Sequence, residues 1–320
     1  MSFIDDPTLP FPKFDLNPFA GDPSKAISAG DWNTVCQSLL DLRDAVSGLT
    51  GSGPSSPLLF LIRSDSEGVT LTTETDMDDP VDNVTVPNGN VVLTKMYSLN
   101  FVEPISPGIL GTGPLRIIGF SPAHGPELAI GKALNDLLNG PGSTPTTTSK
   151  VWLDQISLSS SKISDWVPSS TSGQLSPLLG GSNLYGNSKN RANAASAISN
   201  RSIPCMFVLL GSNDGSDPTS AANAGTNATA FISQHRADLG AGLLVVWAIP
   251  QSTLPLGVFP NIATARANLI TALTGTPGLA MVFTEDMPVN DDGAHFTASA
   301  ISVIGTRQAA AYRRLAGIGP

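Results

Sequence analysis

Six short apolar runs, Leu58–Ile62, Leu115–Phe120, Val151–Leu158, Cys205–Leu210, Leu243–Ala248 and Leu279–Phe283, constrain this chain more than any other feature. They read as strands buried on both faces, because little polar alternation interrupts them. Between them, apolar residues recur at helical spacing over Glu127–Leu138, Ala192–Ser199, Ala221–Asp238, Ile262–Leu273 and Thr297–Leu315. Strand–helix alternation of this kind predicts an α/β fold, a mainly parallel sheet flanked by helices on both faces. Val91–Tyr97 alternates loosely and is expected to pair with Val84–Val86 through the turn Pro87-Asn88-Gly89-Asn90. Residues 159–188, dense in serine and glycine, read as loop. No internal repeat is present.

The first fifty residues are of another kind. Prolines at 7, 10, 12, 18 and 23 alternate with Phe11, Phe14 and Phe19, so residues 1–25 read as an extended arm that docks on a surface. An internal partner and an external one fit that pattern equally. Trp32, Val35, Cys36, Leu39, Leu40, Leu42 and Val46 then recur at helical spacing until Gly48 and Gly51. Such a helix either packs on the main domain or joins the chain to a larger assembly. A Gly-Ser-Pro linker follows, which divides the chain into 1–50, a linker at 51–56 and a domain over 57–320.

Composition narrows the function. The 320 residues hold 17 Lys and Arg against 26 Asp and Glu, a formal charge of −9, which opposes binding to phosphate backbones. Nucleic acid is therefore not an expected partner. Hydrophobic residues at 41% and charged residues at 13% supply a sizeable core. The apolar runs are too short to span a bilayer, and Met1–Asp6 lacks a basic, then apolar, leader. Synthesis in a cytosol without membrane insertion is the expectation. Cys36 and Cys205 read as buried thiols rather than a disulfide, and His124, His235 and His295 lack metal-ligand spacing.

Four polar blocks stand where apolar runs end or helices begin, which is where open α/β sheets keep their sites. Arg63-Ser64-Asp65-Ser66 follows the first run and reads either as a turn exposing a nucleophilic serine or as a helix cap. His124-Gly125-Pro126-Glu127 reads as a helix start with proline in its first turn, or as a loop whose glycine N–H approaches an oxyanion. Gly211-Ser212-Asn213-Asp214 ends a strand, and an asparagine amide fixed there is a good oxyanion donor. In Asp292-Gly293-Ala294-His295, three-residue spacing lets the carboxylate reach one imidazole nitrogen, leaving the other to act as base.

The order Ser66, Gly125, Asn213, Asp292 and His295 resembles the SGNH (GDSL-like) hydrolases over about residues 57–316. Finer blocks are similar to the sialate O-acetylesterase-like branch related to carbohydrate esterase family six. These are His124-Gly125-Pro126-Glu127, Val151-Trp152-Leu153 with Asp165-Trp166, and Asp292–Thr297 running into Gly305-Thr306-Arg307. The resemblance implies a flavodoxin-like three-layer sandwich. It also implies a catalytic triad of Ser66, His295 and Asp292, an oxyanion hole of Ser66, Gly125 and Asn213, and no metal or organic cofactor. Two departures stand out. Ser64 occupies the family's glycine position, where a side chain is expected to strain the turn or shift the nucleophile. Ser159-Ser160 replaces the branch's Gly-Gly, which leaves the substrate open.

Ile27–Asn33 followed by Leu39–Arg43 resembles N-terminal segments of some tailed-phage structural proteins. Together these readings imply a serine esterase that deacetylates surface polysaccharide as a virion component. Its expected partners are an acetylated glycan, other virion proteins bound through residues 1–50, and further copies of itself in a homo-oligomer. The rival expectation is a decayed site on a structural or glycan-binding virion protein.

Overall fold

The first apolar run becomes the central strand of the sheet. The computed structural model describes residues 58–66, 91–97, 101–102, 125–139, 151–158, 160–170, 183–199 and 202–318. Strands β1 (Leu59–Ser64), β2 (Val91–Tyr97), β3 (Phe101–Val102), β4 (Val151–Ser157), β5 (Cys205–Leu209), β6 (Leu244–Ile249) and β7 (Leu279–Phe283) form one sheet. Its order is β3-β2-β4-β1-β5-β6-β7. All neighbouring strands run parallel except β2 and β3. The α/β fold expected from the alternation is the fold observed.

β1 shows why the run lacks polar alternation. Leu59 and Leu61 face one core, with Met206, Val208, Val245 and Trp247. Phe60 and Ile62 face the other, with Leu153, Phe207 and Val246. Helices α2 (Leu184–Ser199), α3 (Pro218–Leu239) and α4 (Ile262–Leu273) cover the first face, through residues such as Ala192, Phe231 and Leu269. Helices α1 (Glu127–Asn139) and α5 (Ala298–Leu315) cover the second, through Ile130, Leu134 and Tyr312. Three layers result. Among the described residues, no helix is long and apolar enough to cross a membrane.

Local signals set several boundaries. Asp217 caps α3 by accepting the Ser220 N–H at 2.8 Å, with Pro218 in the first turn. Thr297 caps α5 through the Ala300 N–H, and Gly317, at φ 65°, lies just beyond its end. Gly305 lets α5 approach α1: a Cβ there would lie 2.7 Å from the Pro126 carbonyl oxygen.

One helix begins earlier than its periodicity predicts. α2 starts at Leu184 rather than Ala192, inside the stretch read as loop. Its first turns are polar because their buried side serves a buried ion cluster. Arg63 on β1 pairs with Asp154 on β4 at 2.9 Å, and Arg191 on α2 pairs with the same carboxylate at 2.6 Å. The Arg63 Nε–H donates to Ser188 Oγ at 2.6 Å, and Ser188 Oγ lies 3.3 Å from His235 Nε2. The other imidazole nitrogen lies 2.8 Å from the Phe231 carbonyl oxygen. Burial pushes the His235 imidazole down to about 3, with Arg63 adding to the effect, so it stays neutral.

The expected partner strand Val84–Val86, the run Leu115–Phe120, His124, Cys36, Ser159 and all of residues 1–56 lie outside the described residues. Cys205 is a free, buried thiol.

Removing Asp154 leaves two buried guanidinium groups facing each other. Asp154→Ala is expected to cost about 3–5 kcal/mol of stability, read as a lower midpoint in urea unfolding. An unchanged midpoint would show that the cluster contributes nothing to the folded state.

Candidate functional site

Sheet order places the candidate site. β1 lies between β4 and β5, so the chain reverses its direction of travel across the sheet there, and open α/β sheets keep their sites beyond the carboxyl ends of strands at such a point. β1 ends at Ser64, opposite Ser157 of β4 and Leu209 of β5. The Asp65 N–H donates to the Leu209 carbonyl at 3.1 Å, so pairing with β5 continues one residue past the strand. Ser66 follows, half-buried, at the carboxyl edge.

Ser64 itself is not in strained backbone. It lies in extended backbone as the last residue of β1, and its Oγ shares a 2.6 Å hydrogen bond with Ser157 Oγ inside the sheet. Among the described residues, Ser160 at φ 61° is the non-glycine residue with positive φ. Among the described residues, the left-handed backbone therefore falls at Ser160 in the loop after β4, a member of the serine pair that replaces the family's glycines.

The loop after β5 supplies the second element. Gly211, at φ 122°, turns the chain out of the strand, and Asn213–Ser216 forms a single turn of 3-10 helix. The Gly215 N–H donates to Ser212 O at 3.1 Å, and the Asn261 N–H donates to Gly215 O at 2.9 Å. Asn213 Nδ2 lies 3.3 Å from Asp65 Oδ2 and donates to it. The loop carrying the candidate oxyanion donor is thereby tied to the loop carrying Ser66.

The third element follows β7. His295 Nδ1 lies 2.7 Å from Asp292 Oδ2, while Asp292 Oδ1 accepts the N–H groups of Ala294 and His295, each at 2.9 Å. Gly293, at φ 70°, permits the tight turn between them. The turn is braced from outside: the Asn290 N–H donates to His295 O at 2.8 Å, and the Thr297 N–H donates to Pro288 O at 3.1 Å. Partial burial works to raise the Asp292 carboxyl, but the N–H groups of His295 and Ala294 and the imidazole outweigh it. They hold the carboxyl below the usual aspartate range.

Phe296 anchors this turn, packing with Leu209, Ala248 and Met287. It shares a small cavity with Leu209, Leu210, Ser212 and Pro250, which brings the loops of Asn213 and His295 to one place. Gly125 is buried at the start of α1, where the Gly305 approach holds the helix against α5. Among the described residues, no hydrogen bond joins Ser66 to His295. Contacts of that kind in a resting site commonly close only with substrate in place.

Two groups escaped the sequence reading. Asp65, the residue before the candidate nucleophile, has a fully buried side chain that reaches Asn213. Asp214, also fully buried, accepts the Ile163 N–H at 3.0 Å and so links the loops after β4 and β5. Burial, with Asp65 and Asp165 nearby, pushes its carboxyl up to about 7 against the pull of the Ile163 N–H and Lys162. Only its position beside Asn213 gave a sequence clue to either role.

Sheet order, three layers and loops gathered at the carboxyl edge define a three-layer α/β fold with its candidate site at that edge. Residues 118–314 match the carbohydrate esterase, sialic acid-specific acetylesterase family, and the chain belongs to that family. A search among curated proteins finds no match. Among solved structures, a protein of Arabidopsis thaliana is similar at a TM-score of 0.60 and 18% identity, over 81% of this chain and 98% of that one. A carbohydrate acetylesterase from Xanthomonas citri is similar at 0.52 and 15%, over 81% of this chain and 56% of its own. NanS is similar at 0.52 and 12%, over 82% and 98%. At these identities the likeness concerns the fold. The family match begins at residue 118 and does not reach the N-terminal segment.

Asp214 makes a pH test possible. Its folded carboxyl keeps a proton to about pH 7, whereas an unfolded aspartate releases its proton near about 3.9. It therefore favours the folded state at acid pH and loses that contribution as pH rises through 7. Asp214→Asn, which keeps an acceptor for Ile163, is expected to gain stability over the parent between about pH 4 and 7, by up to about 1.4 kcal/mol per unit. Urea unfolding across that range checks this, and parallel profiles would contradict it.

Proposed function

We propose that this protein is a serine esterase that removes O-acetyl groups from carbohydrate. The observation that carries the reading is the Asp292–His295 pair, held at 2.7 Å on a braced turn at the carboxyl edge of the sheet. Asp292 fixes the imidazole with Nδ1 towards the carboxylate, which leaves Nε2 free to act as base. Ser66 attacks the acetyl carbonyl and gives its proton to His295. The Ser66 N–H, the Gly125 N–H and the Asn213 amide receive the tetrahedral oxyanion. Collapse releases the sugar hydroxyl, protonated by the imidazolium, and water then cleaves the acetyl-serine by the same route to give acetate.

Family membership supports the carbohydrate ester as substrate class. Extended backbone at Ser64 supports a working nucleophile turn over a decayed one. No metal or organic cofactor enters this chemistry.

Ser66→Ala is expected to abolish hydrolysis of 4-nitrophenyl acetate and of an acetylated glycan. Asn213→Ala is expected to lower kcat by about 10²–10³ with little change in KM. Activity retained by Ser66→Ala, or a wild type inactive on both esters, would overturn the reading.

The phage-like N-terminal segment supports a second part of the proposal, in which residues 1–50 anchor the esterase in a virion with further copies of itself. The enzyme would then act on surface polysaccharide. Removing residues 1–50 is expected to leave ester hydrolysis intact and abolish incorporation into particles. Incorporation without that segment would remove its assigned role.

A further inference from the structure

We infer that Asp65 is a positioning residue, whose carboxylate holds the Asn213 amide so that its second N–H faces the reacting carbonyl; this rests on the esterase reading above. An oxyanion donor on a side chain is effective only when its rotamer is fixed before the reaction begins. A primary amide has two N–H bonds, and one of them can serve as a handle. In this structure Asn213 Nδ2 lies 3.3 Å from Asp65 Oδ2, which commits one N–H to the carboxylate. The other N–H diverges from it in the amide plane and stays available to an oxyanion.

The handle is itself immobile. Asp65 is fully buried, and its backbone N–H is bonded to Leu209 O at 3.1 Å in continuation of the sheet. The same residue precedes Ser66, so one short segment fixes the nucleophile's backbone and the orientation of an oxyanion donor 148 positions away in sequence. The carboxylate charge works against a nearby oxyanion, so its use here lies in accepting the hydrogen bond. That distinction makes the charge-free isostere informative.

The test has two readouts on the full-length protein. In kinetics on 4-nitrophenyl acetate, Asp65→Ala is expected to lower kcat about tenfold or more, a part of the 10²–10³ lost with a whole donor, while KM changes little. Asp65→Asn, whose carbonyl oxygen accepts the same bond, is expected to restore most of kcat. In an Asn213→Ala background, Asp65→Ala is expected to add no further loss, whereas general damage to folding would add to it.

The second readout is the Asn213 side-chain amide in ¹H–¹⁵N NMR, assigned by its disappearance in Asn213→Ala. It is expected to be rigid in the wild type and in Asp65→Asn, and mobile in Asp65→Ala. An amide equally rigid without Asp65, an unchanged kcat in Asp65→Ala, or full additivity with Asn213→Ala would overturn the inference. A wild type without esterase activity would defeat the esterase reading, and the NMR comparison would still decide whether Asp65 holds Asn213.

Discussion

The hydrogen bond from the Asp65 N–H to the Leu209 carbonyl is where the fold becomes a site. β1 is buried on both faces and hydrogen-bonded on both edges, so its register is fixed by apolar packing long before any chemistry is considered. Extending that register one residue past the strand carries the order of the sheet into Asp65 and delivers Ser66 to its edge. A shift of one residue would exchange Leu59 and Leu61 for Phe60 and Ile62 between two differently shaped cores, and would turn Ser64 away from Ser157. Hydrophobic pattern and the position of Ser66 are thus one constraint.

Charge inside the first core serves the same end. Asp154 bridges β4 to β1 through Arg63 and to α2 through Arg191. A buried ion pair contributes little net stability over a well-packed apolar alternative, but breaking it leaves an uncompensated buried charge, which opposes any slip that separates Arg63 from Asp154. Arg63 stands one residue before the end of β1, so the pair locks the central strands close to the candidate site. The neutral His235 completes the network without adding a third positive charge beside the two arginines.

The parallel sheet was legible because its signal is regional: an apolar run reads as a buried strand whatever its neighbours are. The start of α2 was not, because Asn187, Ser188 and Arg191 lie fully buried where a hydrophobic stripe would normally stand. Burial of polar residues against a distant Asp154 has no local signature. The same distinction divides the site. Asp292 and His295 could be paired from their spacing, since three residues and one glycine suffice to close the turn. The bond from Asn213 to Asp65 spans 148 residues and depends on β5 lying beside β1, which spacing cannot reveal.

This division has a physical consequence for how the two halves of the site respond to change. The proposed acid–base half is a compact turn, braced by Asn290, Pro288 and Thr297 and anchored by one buried ring, Phe296. Its internal geometry depends on few distant contacts, and its half-exposed side chains leave the imidazole accessible. The half with the proposed nucleophile has no comparable local closure: Ser66, Asp65 and Asn213 come from two strand ends and hold their relation only while β1 and β5 stay in register. The two halves meet at Leu209, whose carbonyl accepts the Asp65 N–H and whose side chain packs with Phe296. Ser64 illustrates the protection the Ser66 half requires. Its buried Oγ bonds Ser157 Oγ on the neighbouring strand, so the position that departs from the family's glycine reinforces the strand pairing beside the proposed nucleophile.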